Sequence, residues 1–404
     1  MAPTPVTPAV PRSGIRNLDE LGLAHQRVLV RTDFDVPLTA TGGVADDRKL
    51  RLALPTLRKA LDEGARVVVA THASSESGVA PSLEPVAGKL AELLGQEVYL
   101  PDACVGDAAR KVVGDLREGQ LCLLENLDWA AEERAGEEGF ARKLATLCDV
   151  FVNEALPCSL EPRASLVALP RLLKEKGAGL RLAAELEALG RAAVTAQKPF
   201  VGILGGAGLQ HNLQVFELMA RRCDVICVAG VLASTLLAAK ELDMKSSLVE
   251  REQLALARSL LARARDQKLE LILPVDVLAA TSPEAAEGRA VSVGSLPDLH
   301  AAFDIGPKTL ELFCNRLRDA KTVLLHGALG KLEQPAFAEG SRSVLRALGE
   351  ASAFGVVTGS ALSALALREG PELEGKIGLI STGGMASLAV IEGKKLPGVE
   401  ALRT

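Results

Sequence analysis

The sequence predicts an α/β protein made of two doubly wound parallel-sheet (Rossmann-like) domains joined by a helix. Three observations lead there. Short apolar, β-branched runs alternate with longer segments of helical period, as a parallel sheet with crossover helices requires. At 404 residues the chain exceeds what one core usually supports. Two separate strand series are found, one on each side of a helical stretch from Leu180 to Val194.

In the first half, strands are expected at Arg27 to Phe34, Arg66 to Thr71, Glu97 to Leu100, Leu121 to Glu125 and Asp149 to Asn153. Helix candidates such as Glu84 to Leu94 and Gly136 to Cys148 repeat apolar residues at three- and four-residue steps, giving each one face for the sheet. After Leu180 to Val194, Lys198-Pro199 opens a second series: Phe200 to Leu204, Asp224 to Val228, Leu269 to Leu273, Thr322 to Leu325, Gly355 to Val357 and Ile377 to Ile380. The carboxyl ends of these strands run into Gly205-Gly206, Gly230, Asp276, His326-Gly327, Gly359 and Gly383-Gly384. Open α/β sheets bind ligands at such ends, and a missing Cβ admits a ligand close to the backbone. The expected organisation is a proline-rich, disordered extension over 1–14, a first domain over 15–179, an interdomain helix over 180–195, a second domain over 196–390 and a tail over 391–404.

Composition narrows the function. A net charge of −5 with 3% aromatic residues argues against nucleic acid as a partner. No apolar run nears the roughly 20 residues that span a bilayer, so no membrane partner is expected. The seven cysteines are odd in number and contain no CxxC pair, which suggests a reduced, cytoplasmic protein. The five histidines form no HExxH, and Cys223 with Cys227 lacks a second pair, so no metal site is assigned.

The segments Arg31-Thr32-Asp33-Phe34-Asp35-Val36-Pro37, Asn153-Glu154-Ala155, Leu273-Pro274-Val275-Asp276, Asp304-Ile305-Gly306-Pro307-Lys308-Thr309, Ser381-Thr382-Gly383-Gly384 and Glu392-Gly393-Lys394-Lys395-Leu396-Pro397-Gly398-Val399 together resemble phosphoglycerate kinase, in that family's order from about residue 18 to 402. The resemblance implies a first domain for 3-phosphoglycerate, a second for Mg-nucleotide (ATP or ADP), a C-terminal tail returning to the first domain, and a monomer. It also implies transfer of a phosphoryl group between 1,3-bisphosphoglycerate and ADP.

Phosphoryl transfer depends on positioning and on cations that neutralise the transferring oxygens. By the resemblance, Arg31, Asp33, Asp35, His72 and Arg163 fall in the substrate region, and the family's catalytic arginine position is taken by Lys49, which keeps charge but loses the bidentate fork. Further arginine positions are occupied by Ser75, Asp128 and Glu161, the last two inverting the charge, so the site is expected to repel an anion. On the nucleotide side Gly205, Gly206, Gly327, Glu333 and Gly359 match, with Glu333 at the ribose-contacting position, and the strand-end Gly230 is assigned to the same nucleotide site. The two phosphate lysines are Gly208 and Asn212, and the metal-binding aspartate is Leu362, which offers no oxygen to magnesium.

The expected function is therefore a phosphoglycerate kinase homologue that has lost most phosphate- and metal-binding residues, a pseudoenzyme with a binding or regulatory role toward a protein partner, a nucleotide or a small metabolite. Two alternatives stand beside it. One is an active kinase whose loops rearrange to use Lys49, Arg48 and Arg163. The other is an enzyme for a less anionic substrate, served by Asp33, Asp35, His72, Asp128 and Glu161.

Overall fold

The computed structural model describes residues 13–74 and 80–403. The extension expected over 1–14 lies outside the described residues except for Ser13 and Gly14, which form a turn. Two compact units divide the chain: the first runs to Gly190 and resumes at Met385, and the second is Arg191–Gly384. No helix of the described residues is long and apolar enough to cross a membrane.

The first unit holds six parallel strands: β1 (Arg27–Arg31), β2 (Arg66–Ala70), β3 (Val98–Tyr99), β4 (Leu121–Leu123), β5 (Val150–Asn153) and β6 (Glu175–Ala178). Their order is β3-β4-β2-β1-β5-β6. Both alternating residue sets of β1, β2 and β5 are buried, because helices cover each face, which is why these strands read as continuous apolar runs. On one face Val28, Val30, Val67, Val69, Val150 and Val152 pack with Leu50 and Leu57 of the helix Arg48–Asp62 and Leu90 of the helix Glu84–Leu94. Each fully buried Val or Leu contributes roughly 1.5–3 kcal/mol.

Strand β6 is absent from the expected series, since Glu175-Lys176-Gly177-Ala178 has no apolar run. Parallel pairing to β5 and an Arg16–Glu175 ion pair of 2.9 Å hold it, and Gly177 is required because a Cβ there would stand 2.5 Å from the Arg16 carbonyl oxygen. The helix Leu180–Val194, as expected from its period, starts on Glu154, whose carboxylate accepts from the backbone N–H of Arg181 and Leu182 at 3.1 Å each.

The second unit contains a parallel sheet of β7 (Phe200–Leu204), β8 (Val225–Val228), β9 (Glu270–Ile272), β13 (Thr322–His326), β14 (Phe354–Thr358) and β15 (Gly378–Ile380), ordered β15-β14-β13-β7-β8-β9. All six expected strands are present. A separate antiparallel sheet, β11-β10-β12, adds β10 (Asp276–Ala280), β11 (Arg289–Ser292) and β12 (Ala301–Ile305). Its strands are short and alanine-rich, with β10 largely buried and β11 mostly exposed, so no long β-branched run marks them. One expectation is corrected here. Asp276 is no free group at a sheet's ligand edge: its carboxylate caps the helix Pro307–Asp319, accepting from Lys308 N at 3.0 Å and Thr309 N at 2.8 Å.

Candidate functional site

In the first unit the sheet register sets Arg31, Ala70 and Asn153 level at the carboxyl ends of β1, β2 and β5. The residues just beyond them therefore converge. Arg31 is fully buried, and its guanidinium donates to Ser165 Oγ at 3.0 Å, to the Thr32 carbonyl and to His72 Nδ1 at 3.3 Å. Ser165 in turn donates its hydroxyl to the buried Glu133, which also accepts Ser165 N at 2.8 Å. A guanidinium only donates, so neutral His72 accepts at Nδ1 and carries its proton on Nε2. Burial, with Arg31 second, pushes His72 down to about 4, leaving it uncharged at neutral pH.

The remaining expected groups are held by the chain itself. Lys49 Nζ lies 3.0 and 2.9 Å from the two Asp33 oxygens, and Asp35 accepts from Ser74 N and Oγ at 2.9 and 2.8 Å. Arg48 donates to Asp46 and Arg51 to Asp47. Asp128 and Glu161 were expected as carboxylates that repel an anion, and the structure corrects this. Arg163 binds Asp128 at 2.6 Å and Glu161 at 2.9 Å, and Arg134 adds a second guanidinium on Asp128 at 3.1 Å. Burial alone would push the Asp128 carboxyl up, but Arg134 and Arg163 outweigh it and hold it below the usual range. These pairings also occupy the acidic cluster invoked for a less anionic substrate. Ser75 lies outside the described residues.

Sequence spacing assigned no metal site, yet the fold brings Asp33, His72 and Cys158 together, with one donor atom of each within 4.8 Å of the others. Spacing could not reveal it, because the donors sit on loops after three different strands. Arg134, Glu133, Ser165 and Cys158 belong to the same region and were not singled out by sequence.

In the second unit Gly205, Gly206, Gly230, Gly327 and Gly359 meet where the parallel strands end. A Cβ on Gly205 would stand 2.1 Å from the Ala328 carbonyl oxygen, one on Gly230 2.8 Å from Gly206 O, and one on Gly327 2.6 Å from Gly205 O. Backbone-to-backbone packing thus demands these glycines before any ligand is considered. At the start of the helix Leu209–Arg222, Asn212 donates to the Gly208 carbonyl at 2.7 Å, and the Glu250 carboxylate accepts from Leu209 N. A negative side chain therefore already sits at the helix's positive end. Glu250 had no local signal in the sequence.

Leu362, in the helix Ser360–Arg368, is fully buried in an apolar cluster with Val323, Leu325, Val357 and Ile380. It gives no oxygen to a divalent ion, and an aspartate there would face hydrocarbon. The groups present thus do not fit the Mg-nucleotide phosphates that the resemblance implies. Glu333 is exposed on a turn. His326, at the end of β13, is pushed down to about 4 by burial and bonds Thr358 Oγ1 through Nδ1 at 2.8 Å. Asp304, buried beside Gly330, accepts from Gly340 N and Ile305 N at 2.8 Å each, and burial raises it to about 7.

Comparison with known proteins places this geometry in a family. The family model described as phosphoglycerate kinase matches residues 18–394. The phosphoglycerate kinase of Anaeromyxobacter sp. (strain Fw109-5) is 42% identical over 394 residues, covering 96% of this chain and 99% of that protein. That of Pelotomaculum thermopropionicum is 39% identical over 392 residues, covering 96% and 98%. Among solved structures, phosphoglycerate kinase from Coxiella burnetii aligns with a TM-score of 0.81 at 30% identity, covering 96% of this chain and 98% of that one. The Pyrococcus horikoshii enzyme aligns with a TM-score of 0.84 at 27% identity and the same coverage. With nearly full-length matches in sequence and in structure, the chain belongs to the phosphoglycerate kinase family.

Proposed function

We propose that this family member keeps the phosphoglycerate kinase fold for a binding or regulatory role, with phosphoryl transfer greatly reduced or lost. The observation that carries the reading is Leu362: the position that matches the family's metal aspartate is part of the apolar core. The Asp33–Lys49 and Asp128–Arg163 pairs point the same way, since each cation already has a carboxylate. Removing one preorganised donor to transition-state charge costs roughly 10²- to 10³-fold in rate. Such losses are not additive, but several at once leave little of the reaction.

A second reading, a working phosphoglycerate kinase, is favoured by the names of the relatives and by identity spread over 96% of the chain. It requires Lys49 to leave Asp33 and Arg163 to leave Asp128 when substrate arrives. A coupled spectrophotometric assay of ATP plus 3-phosphoglycerate, run beside a Lys49→Ala variant as the contamination control, separates the two. Turnover at background in both supports the binding role, and turnover abolished by Lys49→Ala supports the kinase.

A further inference from the structure

We propose that Asp33, His72 and Cys158 form a three-ligand site for a divalent transition metal with the preferences of zinc. The donor atoms, one carboxylate oxygen, one imidazole nitrogen and one thiol sulfur, all lie within 4.8 Å of one another. Bonds of about 2.0 to 2.3 Å in a tetrahedral arrangement place one oxygen, one nitrogen and one sulfur roughly 3.3 to 3.6 Å apart, so the three need to close by up to about 1.5 Å. Sheet order explains the convergence: Asp33 follows β1, His72 follows β2 and Cys158 follows β5, and these are three adjacent strands. Magnesium and calcium take oxygen, whereas a mixed oxygen, nitrogen and sulfur set selects zinc or cobalt and leaves a fourth position for water.

The site's own cations stand in the metal's way, and charge balance shows how they yield. Lys49 holds Asp33, and its side chain is 37% exposed, so the ammonium can turn into solvent. With Asp33 only 12% exposed the pair is partly buried, and it stabilises by about 1 kcal/mol. Arg31 gives up one bond, to His72, and keeps Ser165 Oγ and the Thr32 carbonyl as acceptors. On entry the Cys158 S–H bond breaks, its proton passes to water, and a sulfur–metal bond forms. The metal adds two positive charges, and the thiolate and the departing Lys49 each remove one, so the local charge is unchanged. The inference does not depend on whether the chain turns over phosphoglycerate.

The test is a titration of the full chain with cobalt(II) chloride, read by absorbance. A thiolate-to-cobalt charge-transfer band in the near ultraviolet, saturating at one ion per chain and displaced by zinc, is the expected result. Cys158→Ser should abolish the band and weaken binding by about tenfold or more. Lys49→Ala should tighten binding severalfold by freeing Asp33. Absence of the band, or its survival in a Cys158→Ser protein that melts like the wild type, overturns the proposal. If Cys158→Ser does not fold, Lys49→Ala decides alone: unchanged or weaker cobalt affinity there overturns it too.

Discussion

The two units hold the side chains at their strand ends in different physical ways. In the first, cations remain but are committed: Lys49 to Asp33, and Arg163 with Arg134 to Asp128. In the second, the strand ends hold packed glycines, an intramolecular carboxylate at a helix start and a leucine in the core. Pairing is reversible by a side-chain rotation, whereas a core leucine is not. The first unit should therefore respond to single substitutions as an electrostatic site, and the second as a packing problem.

The largest effect that sharpens this contrast is Leu362→Asp, which puts the family's carboxylate into hydrocarbon. It should destabilise the second unit by roughly 4 kcal/mol in urea denaturation followed by circular dichroism, without creating magnesium affinity. A stable variant that binds magnesium would break the comparison.

The buried carboxylates of the two units should show opposite pH signatures. Burial raises Asp304 to about 7 from an ordinary value of 3.8. Between about pH 4 and pH 7 the unfolded chain releases this proton while the folded chain retains it, so stability falls across that window, by roughly 4 kcal/mol, and is flat above it. In Asp304→Asn that fall should disappear from the pH profile of denaturation midpoints.

Asp128 behaves the other way, because Arg134 and Arg163 hold its carboxyl low despite burial. Its contribution is present above about pH 4 and lost as pH falls through the lower folded value. Asp128→Ala should cost roughly 2 kcal/mol at neutral pH, since it removes the buried acceptor of Arg163 Nη1 and leaves that guanidinium only Glu161. Trp129, the one tryptophan of the chain, sits beside Asp128 and reports this unit by fluorescence. The smallest effect belongs to Lys49→Ala, which should change stability by no more than about 1 kcal/mol, as expected of a half-exposed pair.

Much of the fold was legible because parallel strands buried on both faces advertise themselves as apolar runs. All six strands of the second sheet were found that way, and the helices Glu84–Leu94 and Leu180–Val194 by their helical period. What escaped had no such signal: β6 reads Glu-Lys-Gly-Ala and is held by pairing and an ion pair, and the antiparallel β10–β12 sheet is built of short strands. The site was legible in residue identity and not in pairing. Sequence located Asp128, Glu161 and Arg163, but only the fold shows that Arg163 pairs with the other two and that Arg134 adds the second cation. Glu250 and Cys158 gained their places through tertiary proximity, to which local pattern is blind.

Calorimetric titration of the purified chain with 3-phosphoglycerate and, separately, with Mg-ATP tests most directly whether both phosphate sites are self-occupied. The account predicts that neither ligand binds more tightly than about 1 mM. Dissociation constants near 1 μM for both would contradict it and identify a working kinase whose side chains rearrange on binding.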